Sequence, residues 1–275
     1  MSEPAPAAAT AGPGAVPPAR IGVMMYTVLD QARADLEGTL AKLAATGYRG
    51  IETYGLVEHF GPARVRRAIA DAGLELTSAH APFPAGPRAD QILDENAELG
   101  ARVLVWSMER EEFGTPQAVL AGAERVNEAA ERAAARGLTV AYHNHFAEFS
   151  QHFAGQQAYD LLLSALDDRV LVELDAYWAQ LGGADAAEVL TRLGERARLV
   201  HVKDGPAVSY ADDVMVPIGE GKIDWARVLT APSGLRWHIV ELERLRIDTF
   251  EALRRSYDYL VGSGLSAGRD TPGSS

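Results

Sequence analysis

The sequence has no cysteine among its 275 residues, and this absence removes several kinds of chemistry at once. Disulfide bonds, thiolate catalysis and zinc–thiolate centres are all excluded. Any bound metal ion must therefore be held by histidine, aspartate, glutamate or neutral oxygen atoms. Glycine-rich phosphate-binding motifs of the GxGxxG or GxxxxGK[ST] type are also missing after the apolar segments, which weakens a nucleotide-binding function.

Basic residues are scarce, and long apolar runs are missing. Lysine and arginine number 26 against 38 aspartates and glutamates, which gives a formal net charge of -12. This balance argues against a protein that binds nucleic-acid phosphates, because such proteins carry a basic patch. No window approaches the roughly 18 uninterrupted apolar residues that indicate a membrane span. We therefore expect neither nucleic acid nor membrane as a partner, and we expect a cytoplasmic protein.

The two ends of the chain differ in composition from the rest. Residues 1–19 are rich in alanine and proline and lack the basic start and apolar core of a secretory signal. Residues 264–275 are small and polar. We expect both ends to be disordered tails. Residues 20–263 are expected to form one catalytic domain, since this length can bury a sizeable core.

Between these ends, short apolar segments alternate with longer amphipathic segments. Eight apolar segments begin near residues 21, 50, 74, 102, 138, 170, 198 and 237. Continuous apolar strands fit a parallel sheet that is covered on both faces. The amphipathic segments carry helix signals, such as Thr115 and Pro116 at a start and Gly47 at an end. Eight strand–helix units predict a (β/α)8 TIM barrel, with a doubly wound open sheet as the alternative.

Acidic, imidazole and ammonium side chains gather where the predicted strands end. In a (β/α)8 barrel the active site lies at the carboxyl ends of the strands, so these side chains should meet at one mouth. Residues two apart on a strand share a face, which lets several of them point inward together. The side chains concerned are Glu52, His80, His143, His145, Glu148, Glu173, Asp175, His201, Lys203, Glu241 and Glu243.

Such a cluster is costly inside a packed barrel unless its members are paired or ligated. A divalent cation would satisfy it, because carboxylate oxygens and neutral imidazoles are suitable ligands. A single histidine at a strand end is more often a hydrogen-bonded structural residue, and we expect this of His238. We expect Glu173 and Glu243 to pair with arginines on helices. The coincidence of acids and imidazoles on four strands nevertheless favours a metal site.

Several motifs give the sequence a family resemblance. GIETYG, SAHAP, YHNHFAEF, VELDAYW, LVHVKDG and HIVELE, in this order and spacing, resemble the xylose isomerase-like TIM-barrel superfamily. Within it, the sequence is most similar to the sugar phosphate isomerase/epimerase group, and YHNH and DAYW resemble its inosose dehydratase-like branch. The resemblance runs from about Ile21 to Leu260. It implies one divalent metal ion, Mn, Mg, Co or Zn, at the barrel mouth.

The resemblance also implies a set of metal ligands. Asp175, His201 and Glu241 match three of the four positions that hold the ion in the family. The fourth position falls on His143, where many relatives have glutamate. Either His143 is the ligand, or Glu148 reaches back to take its place.

Further roles are hypotheses about the chemistry of the same site. Glu148 or His145 is expected to transfer a proton, and Glu241 can act as a second proton-transfer group. Lys203 is expected to contact a substrate oxygen. The side of the site that faces the sugar is expected to be lined by Glu52 and His80.

The expected activity is that of a metal-dependent sugar isomerase or epimerase. It would act on a small sugar or keto-polyol through an enediolate, since a chelating ion polarises the carbonyl and makes the neighbouring proton acidic. The alternative is a dehydratase or lyase that eliminates a β substituent from an inosose or 3-keto-glycoside at the same site. A sugar-binding barrel without chemistry is the third hypothesis. The substrate, the metal, and whether the protein is a homo-oligomer stay open.

Overall fold

A closed barrel of parallel strands forms the centre of the molecule. The computed structural model describes residues 18–269. Its eight barrel strands are β1 (Arg20–Met24), β2 (Gly50–Tyr54), β3 (Glu75–His80), β4 (Val103–Trp106), β5 (Thr139–His143), β6 (Leu171–Asp175), β7 (Ala197–Val202) and β8 (Trp237–Val240). Each strand pairs with its neighbours in chain order, and β1 closes the barrel against β8, with Val23 beside Val240. The predicted TIM barrel is confirmed, and the open sheet is excluded.

Helices connect the strands and cover the outside of the barrel. They are Leu29–Ala34, Leu36–Thr46, Leu56–Phe60, Pro62–Asp71, Ala89–Leu99, Pro116–Ala134, Ala147–Ser150, Ala158–Ala165, Ala176–Leu181, Ala186–Leu193, Trp225–Leu229 and Thr249–Gly262. The predicted helix signals act as expected: Thr115 Oγ1 accepts from the Ala118 amide at 3.2 Å, and Gly47 ends its helix at φ 111°. None of the helices described between residues 18 and 269 is both long and apolar enough to cross a membrane.

The barrel interior changes character along its axis. The interior holds a small apolar cluster of Met24, Val105, Ala141, Leu199, Trp237 and Ile239. Two residues further along β5, β7 and β8, the next inward positions are His143, His201 and Glu241. The same two-residue period that builds the apolar plug therefore delivers polar side chains to the mouth.

The segment after β7 is fixed by a buried carboxylate. Asp204 has no exposed surface and accepts hydrogen bonds from the amides of Gly205 at 2.9 Å, Gly219 at 2.9 Å and Ile223 at 3.4 Å. These contacts fold the PIGEGKIDW segment back onto the end of the strand. Asp224 then accepts from the Arg227 amide at 3.0 Å and starts the next helix, as the sequence predicts.

Part of the expected C-terminal tail contacts the barrel. Residues 264–269 lie at the amino end of the strands, and Ser266 Oγ is 2.8 Å from Nδ1 of the buried His238. His238 therefore has a structural partner, which agrees with the role expected for it. Residues 1–17 and 270–275 lie outside the described residues, so the disorder predicted for them stays a prediction.

Replacing Asp204 with alanine should destabilise the protein strongly. The change leaves three backbone amides without an acceptor, and each buried unsatisfied group costs ~1–3 kcal/mol. We expect the free energy of unfolding in urea to fall by at least ~2 kcal/mol. Asp212→Ala is the matched control, because Asp212 is exposed on the same segment. Equal stability of the two variants would contradict this role of Asp204.

Candidate active site

Three side chains that can bind a metal ion meet at the carboxyl end of the barrel. Asp175, His201 and Glu241 come from the ends of β6, β7 and β8, and one donor atom from each lies within 4.8 Å of the others. Asp175 Oδ1 accepts from the Trp178 amide at 2.8 Å and caps the next helix, which leaves Oδ2 facing the other donors. Three of the four ligands that the resemblance implies are thus brought together.

The donor chemistry of this group fits a divalent cation. Asp175 Oδ2 and His201 Nδ1 are buried and form no hydrogen bond of good geometry, although Asp175 Oδ2 lies 3.1 Å from Lys203 Nζ and His201 Nδ1 lies 2.6 Å from Glu241 Oε2. Buried polar atoms are rarely left in this state. A cation shared by two carboxylates and an imidazole would satisfy all three groups.

His143 lies next to this group at the end of β5. Its Nε2 is 3.9 Å from Asp175 Oδ2, and its ring centre is 4.6 Å from that of His201. The following residue, Asn144, accepts from the Asp175 amide at 2.9 Å and donates to the Asp175 carbonyl at 3.1 Å. This amide side chain ties β5 to β6 and sets the spacing of the two candidate ligands. The sequence showed Asn144 within YHNH but gave no sign of this role.

Glu148 points to a different partner. It lies in the one-turn helix Ala147–Ser150, and its Oε1 accepts from the Tyr142 hydroxyl at 2.8 Å and from the His145 amide at 3.0 Å. Burial raises the pKa of Glu148 to about 7. Among the described residues, Glu148 belongs to none of the groups whose donor atoms are close enough to share a metal ion.

Lys203 places a buried positive charge among the acids. Its Nζ lies 3.1 Å from Asp175 Oδ2, 2.9 Å from Glu241 Oε2 and 3.0 Å from Glu243 Oε1. Burial alone would lower the pKa of Lys203, but these carboxylates outweigh it and hold the pKa well above its usual value. The expectation that Glu243 pairs with a helix arginine is wrong, because its partner is this lysine.

A second layer of acid lies beneath His201. The Nε2 atom of His201 is 3.0 Å from Glu52 Oε1 and 3.2 Å from Glu173 Oε2, and neither carboxylate has any exposed surface. Ser78 Oγ donates to the other oxygen of Glu52. The expectation that Glu173 pairs with a helix arginine is wrong, because it faces His201 and His143 instead. A carboxylate on the far nitrogen of a metal-binding imidazole fixes its orientation and tautomer.

Two other histidines of the candidate site, His80 and His145, lie in the wall of the mouth. His80 Nδ1 lies 3.6 Å from Glu52 Oε1, and the His80 side chain keeps 15% of its surface exposed. His145 is half-buried, with its ring centre 5.3 Å from that of His143. Burial lowers the pKa of His145 to about 4, so its imidazole is neutral near pH 7 and can accept a proton.

A cavity of about 300 Å³ opens above these groups. His143, His145, Lys203 and Glu241 line it together with three tyrosines that the sequence did not single out, Tyr26, Tyr54 and Tyr210. The tyrosines lie at or after strand ends, where no motif distinguishes them. A larger cavity of about 740 Å³ beside the loops after β7 and β8 contains none of the metal-binding candidates.

Comparison with known proteins identifies a matching family model and solved structures of similar fold. The family model described as xylose isomerase-like TIM barrel matches residues 40–246. A solved sugar phosphate isomerase/epimerase from Parabacteroides distasonis ATCC 8503 is 22% identical over 93% of this chain and 98% of its own, with a TM-score of 0.70. No protein of the curated set matches the chain.

Two other solved structures of the same fold belong to proteins with different activities. An L-ribulose 3-epimerase is 19% identical, covering 90% of this chain and 94% of its own, with a TM-score of 0.62. The probable 3-DHS dehydratase AsbF from Bacillus anthracis is 15% identical, covering 88% of this chain and 98% of its own, with a TM-score of 0.64. Structural similarity at these levels of sequence identity shows only that the fold is shared.

The raised pKa of Glu148 predicts a pH effect on stability. An acid that binds its proton more tightly when folded loses stability as the pH rises from its unfolded pKa of 4.5 to its folded pKa of about 7. We expect the melting temperature of wild type to fall more steeply than that of Glu148→Gln between these values. Exposed Glu220→Gln is the control and should follow wild type. Parallel curves for wild type and Glu148→Gln would contradict the prediction.

Proposed function

This chain belongs to the xylose isomerase-like TIM-barrel family, and on that premise we propose that it is a divalent-metal-dependent sugar isomerase or epimerase. The observation that carries the proposal is the convergence of Asp175, His201 and Glu241 donor atoms within 4.8 Å of one another. Solved proteins of the same fold include an isomerase/epimerase, an epimerase and a dehydratase. A small carbohydrate is therefore the proposed substrate.

Asp175, His201 and Glu241 would hold the ion, with His143 as the fourth ligand. The orientation of Glu148 toward Tyr142 supports His143 over Glu148 for this position. When bound, the ion would polarise a substrate carbonyl and orient the adjacent hydroxyl. Oxygen and imidazole donors suit Mn, Mg, Co and Zn.

Side chains around the mouth would carry out the proton transfers. His145 lines the cavity and is the proposed acceptor of the proton next to the carbonyl; its lowered pKa leaves the imidazole unprotonated near pH 7 and also makes it a weak base. Lys203 carries a buried positive charge that can donate a hydrogen bond to a substrate oxygen as negative charge develops in the enediolate. Glu241 can act as a second proton-transfer group. Return of the proton to the neighbouring carbon isomerises the sugar, and return to the other face epimerises it.

Elimination is the second candidate reaction. The family resemblance implies that its epimerases use a pair of glutamates on opposite faces of the sugar, and here His143 occupies one of those positions. Glu148, the carboxylate in the short helix after β5, accepts hydrogen bonds from the Tyr142 hydroxyl and the His145 amide. A site with one such glutamate and a neutral imidazole also suits the loss of a β substituent from an inosose or 3-keto-glycoside.

Replacing Glu241 with glutamine should abolish turnover and weaken metal binding. Because the change removes a ligand, we expect the metal dissociation constant to rise by more than the roughly 10–100-fold typical of changing an outer partner. Glu243→Gln is the matched control, because Glu243 also contacts Lys203 but belongs to no metal-binding group among the described residues. Calorimetric titration with Mn²⁺ measures the metal dissociation constant of each variant. Equal losses would contradict the ligand assignment.

Both candidate reactions begin by removing a proton next to a carbonyl, and their products differ. We expect the Mn²⁺-loaded protein to exchange this proton for deuterium in D₂O when it is given a panel of ketoses and inososes, as followed by proton NMR. A new sugar without an absorbance change supports isomerisation or epimerisation, whereas a rise in ultraviolet absorbance from an unsaturated product supports elimination. No exchange with any sugar, despite bound metal, would contradict both.

A further inference from the structure

His80 lines a second cavity besides the one at the barrel mouth. This second cavity has a volume of about 480 Å³. Both cavities are lined by Tyr54, His80, Ser107 and Glu109, so they share one wall. We call the second cavity the annex. It continues the mouth toward the loops that follow β2, β3 and β4.

His80 sets the distance between the annex and the candidate metal ligands. Its ring centre lies 5.3 Å from that of His143 on one side and 5.9 Å from that of Tyr54 on the other. A bound sugar that extends past His80 therefore crosses only about the width of one ring between the candidate metal-binding side chains and the annex. The annex is close enough to take a group attached directly to a sugar in the mouth.

The wall of the annex has the chemistry of a ring-binding pocket. Phe83 and Trp106 line it with their ring centres 5.0 Å apart, and Tyr54 adds a third aromatic side chain. Trp106 is only 2% exposed, and its Nε1–H has no acceptor among residues 18–269. Small-molecule pockets combine aromatic walls with a few polar groups, and a donor without a partner gains from a ligand oxygen that reaches it.

This wall is held in shape before any ligand arrives. The segment after β3 reads APFPAGPR, with prolines at 82, 84 and 87. Each proline fixes its own φ angle and restricts the residue before it. The Ala85 amide also donates to the Phe83 carbonyl at 2.8 Å. A preformed wall lowers the entropy cost of binding.

The charges of the annex argue against a phosphate group as its ligand. Arg33 is the basic residue that lines it, whereas Glu58 and Glu109 are acidic. A phosphate carries about two negative charges and is normally met by several donors or cations. The aromatic wall and the acidic balance suit a neutral, hydroxylated ring.

We propose that the annex binds a second ring that is joined to the sugar in the mouth. The substrate is then a disaccharide-like keto-sugar or a glycoside, not a free monosaccharide. This inference rests on the proposed function, which places a keto-sugar beside the metal ligands. Volume supports it, because the mouth alone lies at the lower end of the ~300–1,000 Å³ typical of small-molecule sites.

Binding of ketoses with and without a second ring tests the proposal. The probes are D-fructose and its three glucosylated forms turanose, maltulose and isomaltulose, titrated calorimetrically into the Mn²⁺-loaded full chain. We expect at least one of the three disaccharides to bind about tenfold more tightly than fructose. If fructose binds and none of the disaccharides binds more tightly, the annex proposal is overturned while the proposed function stands. If none of the four sugars binds, the annex proposal is overturned, and the proposed function fails as well if the deuterium-exchange panel also shows no reaction.

Two variants locate the preference in the annex. Phe83→Ala removes a wall, and Trp106→Phe keeps the ring but removes the unpaired donor. We expect each to reduce the tenfold preference to about threefold or less. Leu120→Ala, which changes an exposed side chain on the helix Pro116–Ala134, should keep the preference of wild type. A preference that survives both annex variants would overturn the assignment of the second ring to this cavity.

Discussion

The structure of the candidate site depends on the contact of one imidazole with carboxylates on both of its sides. His201 Nδ1 faces Glu241, and its Nε2 faces Glu52 and Glu173 in the barrel interior. A ring held from both sides cannot turn, so the nitrogen offered to a metal ion is fixed. The deep carboxylates are tolerable because imidazole and hydroxyl groups pair with them, as Ser78 does with Glu52.

Charge balance at the mouth follows from the same arrangement. Lys203 lies among Asp175, Glu241 and Glu243, and it offsets part of the negative charge that they bring together. Asp175 is also held by its contact with the helix that it caps and by Asn144. The candidate ligands are therefore positioned by strands and by buried hydrogen bonds, which keeps their geometry less dependent on mobile loops.

The sequence predicts the barrel well because each strand and each helix start has a local signal. It also predicts the meeting of Asp175, His201 and Glu241, since residues at the carboxyl ends of parallel strands must share one mouth. It fails for the partner of Glu173, because the two-residue period that puts this acid on the same face as Asp175 does not tell which side chain pairs with it. The sequence also does not predict the direction of the Glu148 side chain. One helical turn directs it toward Tyr142, and the spacing of residues along the chain does not reveal this direction.

The contact beneath the barrel has a consequence for how the chain could be rearranged. Arg20 at the start of β1 pairs with Ala267, so the first strand and the final described segment lie side by side on the face opposite the mouth. A short linker between these two positions would leave the ring of strands intact. Circularly permuted versions, opened in a surface loop far from the ligands, could then carry new chain ends without altering access for a sugar.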